Sequence, residues 1–147
     1  MHSLRQRLNV RDEGAFTLIE LLVVLIIIGV LLAIAIPSYL GFQKKAQQTA
    51  AASDVRSAIP DAEVYYSDNN AYTGMTAAGL KATYDSGLVL SPGTAGSVAG
   101  VVTADNNNDA TGTTYCISAY DGGYWAHAVG PGGQVISDGT LAANPCP

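Results

Sequence analysis

Three hydrophobic rhythms follow one another along this chain of 147 residues. From Leu21 to Ile36 no side chain is polar, and the apolar block reaches back to Phe16 with only Thr17 and Glu20 interrupting it. As a helix, residues 16–36 would be ~31 Å long at ~1.5 Å per residue, matching a bilayer's hydrocarbon core of ~30 Å. Beyond Pro37 the pattern stays helical but becomes one-sided. Tyr39, Phe42, Ala46, Ala50, Val55, Ile59, Ala62 and Tyr66 recur mostly at steps of three and four, while Lys44, Lys45, Gln47, Gln48, Asp54 and Arg56 fill the other face. Pro37 and Pro60 are therefore expected to kink the helix rather than end it. The turn-prone Asp68-Asn69-Asn70 is expected to stop it, giving one helix over residues 16–67.

The third rhythm is short and β-like. After an irregular connector expected over residues 71–86, β runs are predicted at residues 88–90, 98–103, 114–119, 124–129 and 134–137. The separating clusters, such as Ser91-Pro92-Gly93 and Asp121-Gly122-Gly123, are rich in turn formers. Short turns between consecutive strands imply an antiparallel meander. Its apolar face needs a cover, which the amphipathic half of the long helix can supply. The expected fold is thus α+β: a leader (1–15), an apolar half-helix (16–36), an amphipathic half-helix (37–67), and a connector with a small antiparallel head (68–147).

Charge sharpens this picture. Arg5, Arg7 and Arg11 precede the apolar block and favour a cytoplasmic N-terminus, a bias that Lys44 and Lys45 near the other end moderate. Beyond Pro37, four basic residues face nine acidic ones, so the head is acidic and no specific nucleic-acid partner is expected. Cys116 and Cys146 are the two cysteines. An even count in an exported small domain points to one disulfide, against two free thiols in a cytoplasmic one. His2 and His127 are the two histidines, so no histidine metal cluster is available. With no phosphate loop and no Ser/His/Asp grouping, neither catalysis nor a cofactor is expected. Asp105-Asn106-Asn107-Asn108-Asp109 resembles a calcium loop but lacks the following glycine and the distal glutamate, so a solvated turn is the simpler reading.

The string from Gly14 to Val24, Gly-Ala-Phe-Thr-Leu-Ile-Glu-Leu-Leu-Val-Val, resembles the type IV pilin and pseudopilin family. The likeness continues through Gly29, the Ala-Ile-Ala-Ile-Pro run ending at Pro37, and the Tyr65–Tyr72 segment. The resemblance implies a prepilin whose leader is removed by a prepilin peptidase and whose new N-terminal residue is methylated. Cutting between Ala15 and Phe16 keeps the Phe16-to-Glu20 spacing; the family's more usual Gly-Phe junction is absent, and cutting after Gly14 would shift that spacing by one. The resemblance further implies that Glu20 meets the N-terminal amine of a neighbouring copy. A carboxylate in a lipid-soluble segment costs roughly 2.5–3.5 kcal/mol, so it needs such a partner, or else snorkels at the interface or meets its own amine. Gly29 and Pro37 resemble positions where family helices loosen during assembly. Implied partners are other copies of the chain and other pilins, the peptidase, an inner-membrane assembly platform and, before assembly, membrane lipid.

The family also suggests that the disulfide closes a surface segment near the C-terminus, with Tyr120, Tyr124, Trp125 and His127 as candidate contact residues. Plain strand alternation, with Trp125 in the core, accounts for them more simply. Within the family, a type IV pilus subunit is the leading expectation. A type II secretion pseudopilin and a competence (DNA-uptake) pilin are alternatives. A secreted protein with an ordinary signal peptide, cut after Ala33-Ile34-Ala35, is the reading from another class. Pro37 disfavours that cut, and it leaves Glu20 unexplained.

Overall fold

The computed structural model describes residues 16–91, 99–105, 107, 109–140 and 144–146. The leader, with Gly14 and Ala15, lies outside them. Helix α1 (Leu18–Asn69) is followed by α2 (Ala77–Thr83) and strands β1 (Gly100–Asp105), β2 (Tyr115–Asp121), β3 (Tyr124–Gly130) and β4 (Ile136–Gly139). The chain divides into two compact units at Leu40/Gly41.

The first unit is the apolar part of α1. It is long and apolar enough to cross a membrane. Every side chain from Phe16 to Leu40 is exposed, Leu18 by 81% and Ile34 by 69%. Burying such a surface is favourable wherever an apolar surrounding is offered. The helix runs unbroken through Pro37, and the Ser38 hydroxyl donates to the Ile34 carbonyl beside it (3.3 Å). A Cβ placed on Gly29 would meet nothing within 4 Å. Glycine costs a helix interior about 1 kcal/mol relative to alanine, and no contact among the described residues offsets that cost.

In the second unit the four strands form an antiparallel meander in the order β1-β2-β3-β4. Ala51, Ala52, Val55, Ala58 and Ala62 of α1 are buried in one core with Val101, Ala104, Tyr115, Ile117, Ala119, Ala126 and Ala128 of the sheet. Small residues on both sides let the helix backbone approach the sheet closely, and the bulk is supplied at the margins by Tyr72, Met75, Leu80 and Leu88.

The structure corrects four expectations. The buried stripe of α1 begins at Ala51; Tyr39 (68% exposed), Phe42 (76%) and Ala46 belong to the helical periodicity but are exposed. The connector is not irregular throughout. Thr76 caps α2, its hydroxyl accepting from Gly79 N–H at 3.0 Å, and Leu80 anchors the short helix by complete burial. Residues 88–90 form no strand: only Leu90 bridges, in parallel, to Val101. The remaining strands start one or two residues later than expected at β2 and β4, and β1 starts at Gly100, Val98 of its expected run lying outside the described residues. Helix α1 ends at Asn69, where Asn70 adopts φ +60° and returns its N–H to the Tyr66 carbonyl (2.7 Å), the left-handed C-cap that asparagine tolerates.

Glu63 ties helix to sheet. Its two carboxylate oxygens accept from the hydroxyls of Tyr72 and Tyr115, each at 3.0 Å, and those two rings stack edge to face at 4.7 Å. A Cβ on Gly130 would lie 2.0 Å from the Tyr115 ring, so glycine is needed there for the ring to fit. Burial first, and then the Glu63 carboxylate, push the Tyr72 hydroxyl up to about 12; the same causes push Tyr115 up. A raised pKa means the folded state holds these protons more tightly than the unfolded state, so the contribution is intact below the unfolded value and lost as pH rises through the folded one. The denaturation midpoint of the head is expected to be unaffected by these groups below pH 10 and to fall between pH 10 and 12. A midpoint that stays level across that interval would show that the two hydroxyls are not held as described.

Candidate functional site: the N-terminus of the long helix

The helix begins with a reciprocal cap. Thr17 is the last non-helical residue and Glu20 is the third residue of the first turn. Glu20 N–H lies 3.3 Å from Thr17 Oγ1, while Glu20 Oε2 accepts from the Thr17 backbone N–H (2.8 Å) and from the Thr17 hydroxyl (2.7 Å). This is a capping box, in which two helix-end donors are satisfied by each other's side chains. A carboxylate there is also favoured by the positive end of the helix dipole. The cap was missed in reading the sequence, although Thr17-Leu18-Ile19-Glu20 followed by an apolar run carries its signature.

The cap engages only one of the two carboxylate oxygens. Among the described residues, no hydrogen bond reaches Oε1. An ionised carboxylate has about four acceptor positions, so the capped Glu20 keeps capacity for a second donor. It sits on a shallow apolar surface formed by Phe16, Ile19, Val23 and Val24. Within lipid or packed helices, the donor that best suits it is a cation. Phe16 is exposed and lies just outside the helix, where an N-terminal amine would be placed if the chain were cut after Ala15.

At the other end of the chain, Cys116 on β2 and Cys146 form a disulfide with a Cα–Cα distance of 5.7 Å. The tail is also held by Asn144. Its Oδ1 accepts from the Ser118 hydroxyl (2.6 Å) and from Cys146 N–H (3.0 Å), and its Nδ2 donates to Thr103 Oγ1 (2.5 Å). Thus β2 is buried on both faces, Tyr115, Ile117 and Ala119 against α1 and Cys116 and Ser118 beneath the tail. The register places Trp125 opposite Tyr120 and His127 opposite Ser118, on this tail-side face. Trp125 is buried and packs on Tyr120 at 5.1 Å, so it is a core residue, not an exposed contact residue. Tyr120 is buried with it, Tyr124 is half-buried, and His127 Nδ1 lies 2.6 Å from Asp138 Oδ2.

The segment considered for calcium is only partly described. Of its acids, Asp109 is engaged by threonines: its carboxylate accepts from the backbone N–H and hydroxyl groups of Thr111, Thr113 and Thr114. Those bonds, led by Thr111 and then Thr113, hold its pKa well below the usual carboxylate range. Among the described residues no group of three or more His, Cys, Asp or Glu is arranged to hold a metal.

Comparison with known proteins bears on the N-terminal half. Residues 10–36 match the family described as the prokaryotic N-terminal methylation motif. The chain is similar to the type IV wide pilus major component PilA4 of Thermus thermophilus, with 43% identity over 77 residues, 50% of this chain and 59% of that protein. It is similar to the type IV major pilin protein PilA of Myxococcus xanthus, 39% over 67 residues, 46% of this chain and 30% of the relative. It is also similar to the type II secretion system core protein G of Pectobacterium carotovorum, 42% over 72 residues, 49% of this chain and 45% of the relative. The matched portion therefore spans roughly a third to three-fifths of these relatives' own lengths. No solved structure matches.

Proposed function

We propose that this chain, which carries the N-terminal module of the type IV pilins and pseudopilins, is a prepilin that is cut before Phe16 and polymerises through α1 into a type IV pilus. The observation that carries the reading is the capped, half-satisfied carboxylate of Glu20 at the head of a helix whose apolar N-terminal part, through Leu40, is wholly exposed. Before assembly, that surface dissolves in the membrane with the N-terminus in the cytoplasm. After assembly, it is buried against the same helix of other copies. A terminal amine on Phe16 of one copy is repelled by the positive end of its own helix and attracted by the Glu20 carboxylate of another, which fixes the axial step between copies. The uncompensated Gly29 and the proline at 37 are where the helix yields as it leaves the bilayer. Prepilin peptidase, an assembly platform and other pilins are the partners this requires.

The likeness to core protein G favours a second reading, a pseudopilin of a type II secretion system. Both readings share the processing step and part at the filament's destination. N-terminal sequencing and mass spectrometry of the chain from its native membrane are expected to find N-methylated Phe16 as the first residue. A first residue at Ile36 would instead establish an ordinary signal peptide and overturn both readings.

A further inference from the structure

The head segment of α1 carries Lys45 and Arg56 on one flank and Asp54 and Asp61 on the other; Glu63, which also falls on the basic flank, is taken up by the Tyr72 and Tyr115 hydroxyls. At ~100° per residue, Lys45 and Arg56 point within about 20° of one another, while Asp54 and Asp61 lie about 160–180° from Lys45. The buried stripe from Ala51 to Ala62 runs between the two flanks, so both are presented at the edges of the helix–sheet contact. The basic flank lines a cleft of about 240 Å³ with Gln48, Thr49, Ala52 and, from the edge strand β4, Ser137. Lys45 and Arg56 are exposed, and among the described residues neither is in an ion pair. By contrast, the Lys81 ammonium is already engaged by the Leu88 carbonyl.

The acidic flank shows the reciprocal lack. Burial and the nearby Asp121 carboxylate raise the pKa of Asp54; burial and Asp85 raise that of Asp61. Each acid thus has an acidic neighbour in its own chain and no cation among the described residues. Asp61 Oδ2 is a buried oxygen without a hydrogen-bond partner.

We propose that the Lys45/Arg56 cleft of one copy receives the Asp54/Asp61 flank of the next, so that the heads join head-to-tail through one repeated, charge-complementary contact. A patch that meets a different patch on an identical chain generates an open helical array and not a closed pair. Charge matching of this kind sets register and excludes wrong neighbours. A membrane surface fits less well, because an anionic headgroup layer would attract the cleft and repel the acidic flank. The proposal rests on the filament reading above and adds to it a second contact, independent of Glu20.

The test uses full-length chains expressed in cells that assemble them. Lys45→Asp with Arg56→Asp is expected to lower sheared-filament yield at least tenfold, and Asp54→Lys with Asp61→Lys likewise. The four changes together are expected to return the yield to near wild type, because every copy then carries both reversed flanks. Retention of the Cys116–Cys146 disulfide and of Trp125 fluorescence shows that each variant is folded. A short bis-maleimide bridge in filaments of Lys45→Cys with Asp61→Cys, which lie ~24 Å apart along one helix and so beyond reach within a chain, is expected to give a ladder of multimers. Yields indifferent to reversal, a fourfold variant that stays defective, or cross-links stopping at dimers would each overturn the proposal. Unchanged yield with lost binding to phosphatidylserine vesicles would overturn it in favour of lipid. A wild-type chain forming no filament would overturn the filament reading, and this contact with it.

Discussion

Glu20→Gln is expected to leave the helix N-terminus intact and to remove most filament assembly. Glutamine at the third helical position still accepts from the Thr17 backbone N–H, as in other capping boxes, so the local structure survives. What disappears is the charge. A hydrogen bond to a charged group contributes about 1.5–3 kcal/mol, and each 1.4 kcal/mol is a factor of ten. Loss of one such contact therefore lowers each addition step by roughly 10–100-fold, and the deficit recurs at every copy. Filament yield from sheared cells, measured beside the membrane level of the processed chain, distinguishes failed assembly from failed insertion. Thr17→Ala makes the complementary test: it removes a cap worth about 1 kcal/mol while leaving the carboxylate charged. Wild-type filament yield from Glu20→Gln would show that Glu20 serves only as the cap seen in the single chain, and the amine-pairing mechanism would be wrong.

How much of this was legible beforehand depends on which physical signal each element carries. The apolar block and the amphipathic stripe after it are long and periodic, and α1 follows them across both prolines. The end of the helix was readable because Asn70 tolerates the left-handed conformation that closes it. The meander was readable because turn residues separate its strands at short intervals. Three features were not. The stripe's periodicity extends back to Tyr39, but periodicity marks a face without saying whether anything lies opposite it. Helix α2 is too short to show a period and depends on one threonine cap and one buried leucine. Glu63 sits among exposed residues, and its role appears only when Tyr72 and Tyr115, nine and fifty-two residues away, are brought to its two oxygens. At the candidate site, the carboxylate was singled out by its cost in lipid. Its partner Thr17 was passed over because a threonine at an interface raised no such question.

The disulfide's value lies in what it holds down. Cys116 and Cys146 are 30 residues apart, and closing a loop of that size removes about 3–4 kcal/mol of unfolded-chain entropy. The loss on opening extends further than the chain-entropy figure. Ser118 is fully buried and its hydroxyl relies on Asn144, which also reaches Thr103. If the tail lifts, Ser118 and Thr103 lose their partner together, and the central strand loses its second cover while α1 still occupies the first. Cys116→Ser with Cys146→Ser is therefore expected to lower the stability of the head by at least about 3–4 kcal/mol. It should leave α1 and the Glu63 linkage to Tyr72 and Tyr115 in place, because those contacts lie on the opposite face of β2. Trp125, the chain's single tryptophan, shares the tail-side face and reports on it. Its emission should shift to the red at lower denaturant in the double variant, and proteolysis should begin in the tail before it reaches the helix. Should the double variant keep the wild-type denaturation midpoint, the tail is held by Asn144 and packing alone, and the covalent closure adds nothing to the fold.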